Sequence, residues 1–80
     1  MLHGGPMDDA ALLLRIRVIL VSTRAAARTV AGFDEQINAV LERGRWLLDG
    51  LEPAVVESGS SEVQERFDQA RRELSELTPA

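Results

Sequence analysis

LLLRIRVILVSTRAAARTVAGFDEQINAVLERGRWLLDGL, residues 12–51, is the stretch on which the fold turns. Taken at alternating steps of four and three, it reads Leu12, Ile16, Ile19, Thr23, Ala26, Val30, Phe33, Ile37, Val40, Gly44, Leu47 and Leu51. Ten of these twelve positions are apolar, and the exceptions are Thr23 and Gly44. A strand would repeat every two residues, so this period predicts helix, and a seam of this kind is what two packed helices share.

Gly32-Phe33-Asp34 decides how many helices carry the seam. Read as a single unit, 9–50 forms one long helix, kinked at most at Gly32, because Val30, Phe33 and Ile37 continue the repeat without a slip. A glycine inside a packed helix costs only about 1 kcal/mol. At 1.5 Å per residue such a helix would run roughly 60 Å. It would pack antiparallel with a helix over 61–77 and oligomerise into a bundle. Read instead with Gly32 as a terminator and Asp34 as a cap, the chain gives a compact three-helix bundle with helices over 9–31, 34–49 and 61–77. The continuous helix is the leading expectation and the three-helix bundle its alternative. Both are all-α.

Working outward, residues 1–7 (MLHGGPM) are expected to be a disordered lead-in, since Gly4-Gly5-Pro6 cannot start a regular element. Residues 8–78 then form a single helical domain. Asp8 or Asp9 is the expected cap of the first helix, at the positive end of its dipole. Arg15-Ile16-Arg17-Val18-Ile19-Leu20-Val21 alternates briefly like a strand, but no other segment offers it a partner, and a lone strand leaves its backbone unsatisfied. Asp49-Gly50-Leu51-Glu52-Pro53 is a stop signal. Pro53 to Glu57 is expected to form one helical turn, with Val55 and Val56 on the core. Ser61-Glu62-Val63-Gln64 fits a capping box, after which Val63, Phe67, Ala70, Leu74 and Leu77 supply one apolar stripe.

Composition bounds the function. Eighty residues make one domain at most, and a chain this short buries only about 60–65% of its unfolded surface. It has no cysteine, so disulfide staples and thiolate metal sites are excluded, and a reducing cytoplasm is the expected compartment. All nine basic residues are arginine, and the net charge of −4 disfavours a general nucleic-acid binder. Residues 1–31 hold four arginines against Asp8 and Asp9, while residues 32–80 hold five arginines against eleven acids, so the halves are of opposite sign. The apolar run 10–21 is interrupted by Arg15 and Arg17 and is too short to span a membrane.

The chemistry of catalysis is not assembled. The chain has no Cys, Lys or Tyr, and its one histidine, His3, sits on the lead-in. Ser22 and Thr23 lie mid-helix without a base nearby, and the helical glutamates lack the Glu-x-x-His spacing of a di-metal bundle. No enzyme, cofactor or metal site is expected. Arg17, Arg24 and Arg28 share one helical face and could meet an anionic partner, although a solvated face or salt bridges to the acidic half is the leading expectation. Without interleaved aromatics, nucleic-acid binding by that face is disfavoured.

A protein interface is what remains. The first helix is apolar on more than one side, as a helix covered by several neighbours is. Leu12, Ile16, Ile19, Leu20, Val30, Phe33 and Trp46 are the expected interface residues. Trp46 lies off the main seam, either as core under the 53–60 connection or as an interface anchor. The partner expected first is a second copy, in a homodimeric four-helix bundle; a different protein comes next. Two other roles compete. One is a small secretion-type chaperone or exported helical hairpin; exported pairs of the Trp-x-Gly kind have that architecture, but Trp46-Leu47-Leu48 lacks the glycine. The other is an antitoxin or transcription-associated regulator that uses the arginine face.

Overall fold

The computed structural model of the chain describes residues 8–77, so the expected lead-in at 1–7 and the last residues, 78–80, lie outside the described residues. Four helices follow in order: α1 (Asp9–Thr29), α2 (Asp34–Asp49), α3 (Glu52–Ser58) and α4 (Ser61–Glu76). Among the described residues there is no strand. Helices α1, α2 and α4 pack against one another, and the short α3 contacts α1 and α4. The chain is thus all-α, in the compact three-helix form rather than with a continuous helix over 9–50.

Helix α1 begins where the sequence places its cap. The Asp8 carboxylate accepts from the Ala11 N–H at 2.8 Å, and Asp9 follows in the first turn. Such a cap satisfies one of the donors that every helix start leaves open. The helix ends at Thr29. Val30 N–H still reaches the Ala26 carbonyl, but the Ala31 N–H turns back to Arg28 and the Phe33 N–H to Val30. Gly32 takes φ +95°, a left-handed conformation that glycine adopts without a Cβ penalty. Phe33 occupies the cap position of α2 without a side-chain cap, and Asp34 and Glu35 lie in the first turn.

The unbroken phase across this turn has a simple cause. Val30–Phe33 is four residues, close to one helical turn of 3.6. The repeat therefore resumes in step on the far side of a reversal. Beyond the turn the buried stripe of α2 is Leu41, Gly44 and Leu48. Of the seam residues in α2 only Gly44 is buried; Leu47 is exposed, as is Phe33 in the turn.

The seam's two exceptions meet at the crossing of those arms. Thr23 is buried, and Gly44 is buried opposite it. A Cβ built on Gly44 would stand 2.6 Å from Thr23 Oγ1, 2.8 Å from Cγ2 and 3.2 Å from Cβ. The absent side chain is what lets α1 and α2 approach here.

The hydrophobic core lies toward the other end of the bundle. It gathers Leu12 and Ile16 of α1, Leu48 at the end of α2, Leu51, Val55 of α3, and Val63, Phe67, Ala70 and Leu74 of α4. The α4 residues recur at steps of four, three and four, the single stripe seen in the sequence. Val55 is buried but Val56 is exposed, so only one of the two valines expected on the core reaches it. Arg71 fastens the outside of this end. Its guanidinium lies 5.3 Å from the Phe67 ring centroid and bridges Asp49 of α2 at 3.4 Å and Glu52 of α3 at 3.6 Å. The cap of α4 is Ser60, one residue earlier than the capping box implies: its hydroxyl accepts from the Val63 N–H at 3.3 Å. The molecule is a slab of 47 × 23 × 15 Å. Its thin dimension holds two layers of helices, since packed axes lie 8–10 Å apart.

Candidate protein-interaction surface

Helix α1 packs against α2, α3 and α4 and leaves its opposite flank open. Its inward face carries Leu12, Ile16 and Thr23. On the other side Leu14, Val18, Val21 and Ala25 recur at steps of four, three and four, a second apolar stripe on the same helix. That stripe is in solvent: Leu14 is 62% exposed, and Val18 and Val21 are each 52% exposed. Trp46 on α2 is 70% exposed, against the expectation that it could be core, and Phe33 in the turn is 61% exposed.

A groove joins the two helices. It is lined by Leu14, Arg15, Val18 and Ile19 of α1 and by Leu47 and Leu51, and it encloses about 360 Å³. Leu47 and Leu51 also line the adjoining depression beside Trp46, Asp49 and Gly50. Leu47 continues into a third, next to Ser22, Ala26, Val40 and Arg43. The apolar surface therefore runs from the outer stripe of α1 across to α2 and Trp46.

The structure divides the expected interface residues. Leu12 and Ile16 belong to the chain's own core, where no partner reaches them. An outward role for them depends on a long helix with an uncovered half; the hairpin turns that half in against α4. Ile19 and Leu20 are half-buried and packed against the core. Val30 is half-buried in the turn, while Phe33 and Trp46 are exposed. Leu14, Val18, Val21 and Leu47 are exposed but are not among the expected interface residues, although the spacing of Leu14, Val18 and Val21 marks an outer stripe of α1. Of the main seam, Leu12, Ile16, Thr23, Gly44 and Leu51 are buried, while Phe33 and Leu47 are exposed.

The arginine face is divided as well. Arg24 Nη1 bonds Glu73 Oε1 of α4 at 3.3 Å, with both side chains part exposed. Arg17 and Arg28 are exposed, with no ion pair among the described residues. Arg15 stands at the lip of the groove. Among the described residues no group of three His, Cys, Asp or Glu could hold a metal ion, and no helix is long and apolar enough to cross a membrane. His3 lies outside the described residues. No protein-family model matches the chain, and no curated protein or solved structure matches it at a significant level.

Proposed function

We propose that the chain is a non-enzymatic helical module that works by protein association, first of all with itself, through the outer face of α1 and the adjoining edge of α2. The observation that carries this reading is the exposed pair Leu14 and Val18, joined by the groove at Leu47 to the depression beside Trp46, with Val21 exposed on the same helix. Small soluble chains rarely leave a contiguous apolar face uncovered, and exposed tryptophan is enriched where proteins bind one another. The fold is closed without this face, so the stripe is not needed for the core.

Val18→Asp tests it. The side chain is half in solvent, so the substitution is expected to keep the helices and lose the association, read by circular dichroism and light scattering. Ile19 is a poorer site, because it packs against the core. Unchanged association in Val18→Asp overturns the reading. A different protein on the same face is the second reading, and it takes over if the chain alone stays monomeric.

A further inference from the structure

We infer that the turn over 30–33 is a hinge: it opens into a single helix over 9–50, and two opened copies trade α1 to form a two-fold dimer. This goes beyond the association proposed above, because it uses the core and leaves the outer face of α1 free.

The turn stands close to a helix already. Within it Gly32 alone has a positive φ, +95°. The Ala31 N–H donates to the Arg28 carbonyl and the Phe33 N–H to the Val30 carbonyl, each three residues back. In a helix these two bonds move by one residue, to Ala27 and Thr29. Neither Gly32 nor Asp34 donates a backbone hydrogen bond among the described residues. In a helix their N–H groups would reach Arg28 and Val30. Opening thus loses no backbone bond and adds two, and one glycine inside a helix is a small cost.

Phe33 gains from the open form. The side chains of Asp8 and Ser60 cap α1 and α4. Helix α2 starts without such a bond, at Phe33, which is 61% exposed. On a continuous helix Phe33 falls on the seam, between Val30 and Ile37.

Everything that α1 packs on, α2, α3 and α4, follows the turn in sequence. An opened copy can therefore lend its α1 to a second copy and receive that copy's α1 in return, with each contact re-formed. Thr23 and Gly44 keep the register, meeting across the copies as they do within one. The two-fold axis then crosses each long helix midway between them, at Phe33 and Asp34. Both Phe33 rings come beside that axis, each against the opposite helix. Arg24 of one copy pairs with Glu73 of the other, while Arg71 keeps Asp49 and Glu52 within its own chain. Exchange of an identical element needs no new surface, which makes it a low-cost route to a dimer.

Sedimentation equilibrium on the parent, Gly32→Ala, Asp34→Pro and the double variant tests this, all in a Val18→Asp background that removes association through the outer face. Alanine penalises the left-handed turn and favours the helix, at about tenfold or more for each of the two hinges in a dimer. Gly32→Ala is therefore expected to dimerise at concentrations at least about a hundredfold below those the parent needs. Proline at 34 suits the first position of α2, after a residue already out of the helical range. In a continuous helix its ring would strike the Val30 carbonyl. Asp34→Pro and the double variant are expected to stay monomeric, with their helices intact by circular dichroism. Gly32→Ala that stays monomeric, or that loses its helices, at every concentration overturns the hinge. A dimer that survives Asp34→Pro overturns it as well, since it forms without opening. Neither result touches the outer-face association, which Val18→Asp reads separately.

Discussion

Thr23 and Gly44 hold α1 and α2 together by what one of them lacks: a Cβ on Gly44 would lie within 3.2 Å of three Thr23 side-chain atoms. Threonine branches at Cβ, so no rotamer clears all three at once. Gly44→Ala is therefore expected to destabilise the fold by about 1–3 kcal/mol, although alanine is the better helix former by about 1 kcal/mol. Urea denaturation reads the loss, and Thr23→Ala in the same chain is expected to return most of it.

Gly32 is constrained for the opposite reason. A Cβ there meets nothing within 4 Å, yet φ is +95°. The cost of Gly32→Ala is then conformational, about 1–2 kcal/mol. Gly32→Asn is expected to cost less, because asparagine tolerates the left-handed region. Equal melting temperatures for alanine and glycine at this position would contradict the hairpin.

The start of α4 separates two adjacent serines. Ser60 accepts from the Val63 N–H, so Ser60→Ala is expected to cost about 1 kcal/mol. Ser61→Ala is expected to change stability by less than about 0.5 kcal/mol, as for an exposed site without a cap role. Paired denaturation curves check this, and a larger loss at Ser61 would restore the box implied by the sequence.

Trp46 projects into solvent from a helix whose inward face is complete without it. Trp46→Ala is expected to leave the stability of the monomer within about 0.5 kcal/mol and to weaken self-association at least about tenfold. Titration by sedimentation velocity separates the two effects.

Much of this architecture is legible in the sequence. The helical period, the Asp8 cap, the stop at Gly50 and Pro53 and the α4 stripe all depend on local chemistry, and each is found in place. The turn at Val30–Phe33 was harder to read, because a connection about one helical turn long preserves the repeat that a continuous helix would show. The offset at Ser60 has the same character: two neighbouring serines are equivalent caps until tertiary packing fixes where α4 begins. The surface was the least legible part. Leu12 opens the seam and Leu14 lies off it, but on a helix apolar on several sides the period alone does not say which side meets the chain's own α4 and which stays exposed.

The most direct test of the account is the solution mass of the parent chain by light scattering across a range of concentrations. One chain weighs 8.8 kDa. A mass of two chains that falls to one on dilution, with Trp46 emission moving to the red as the ring is uncovered, is the result predicted here. A mass of one chain throughout, with Trp46 emission already fully red, would contradict it.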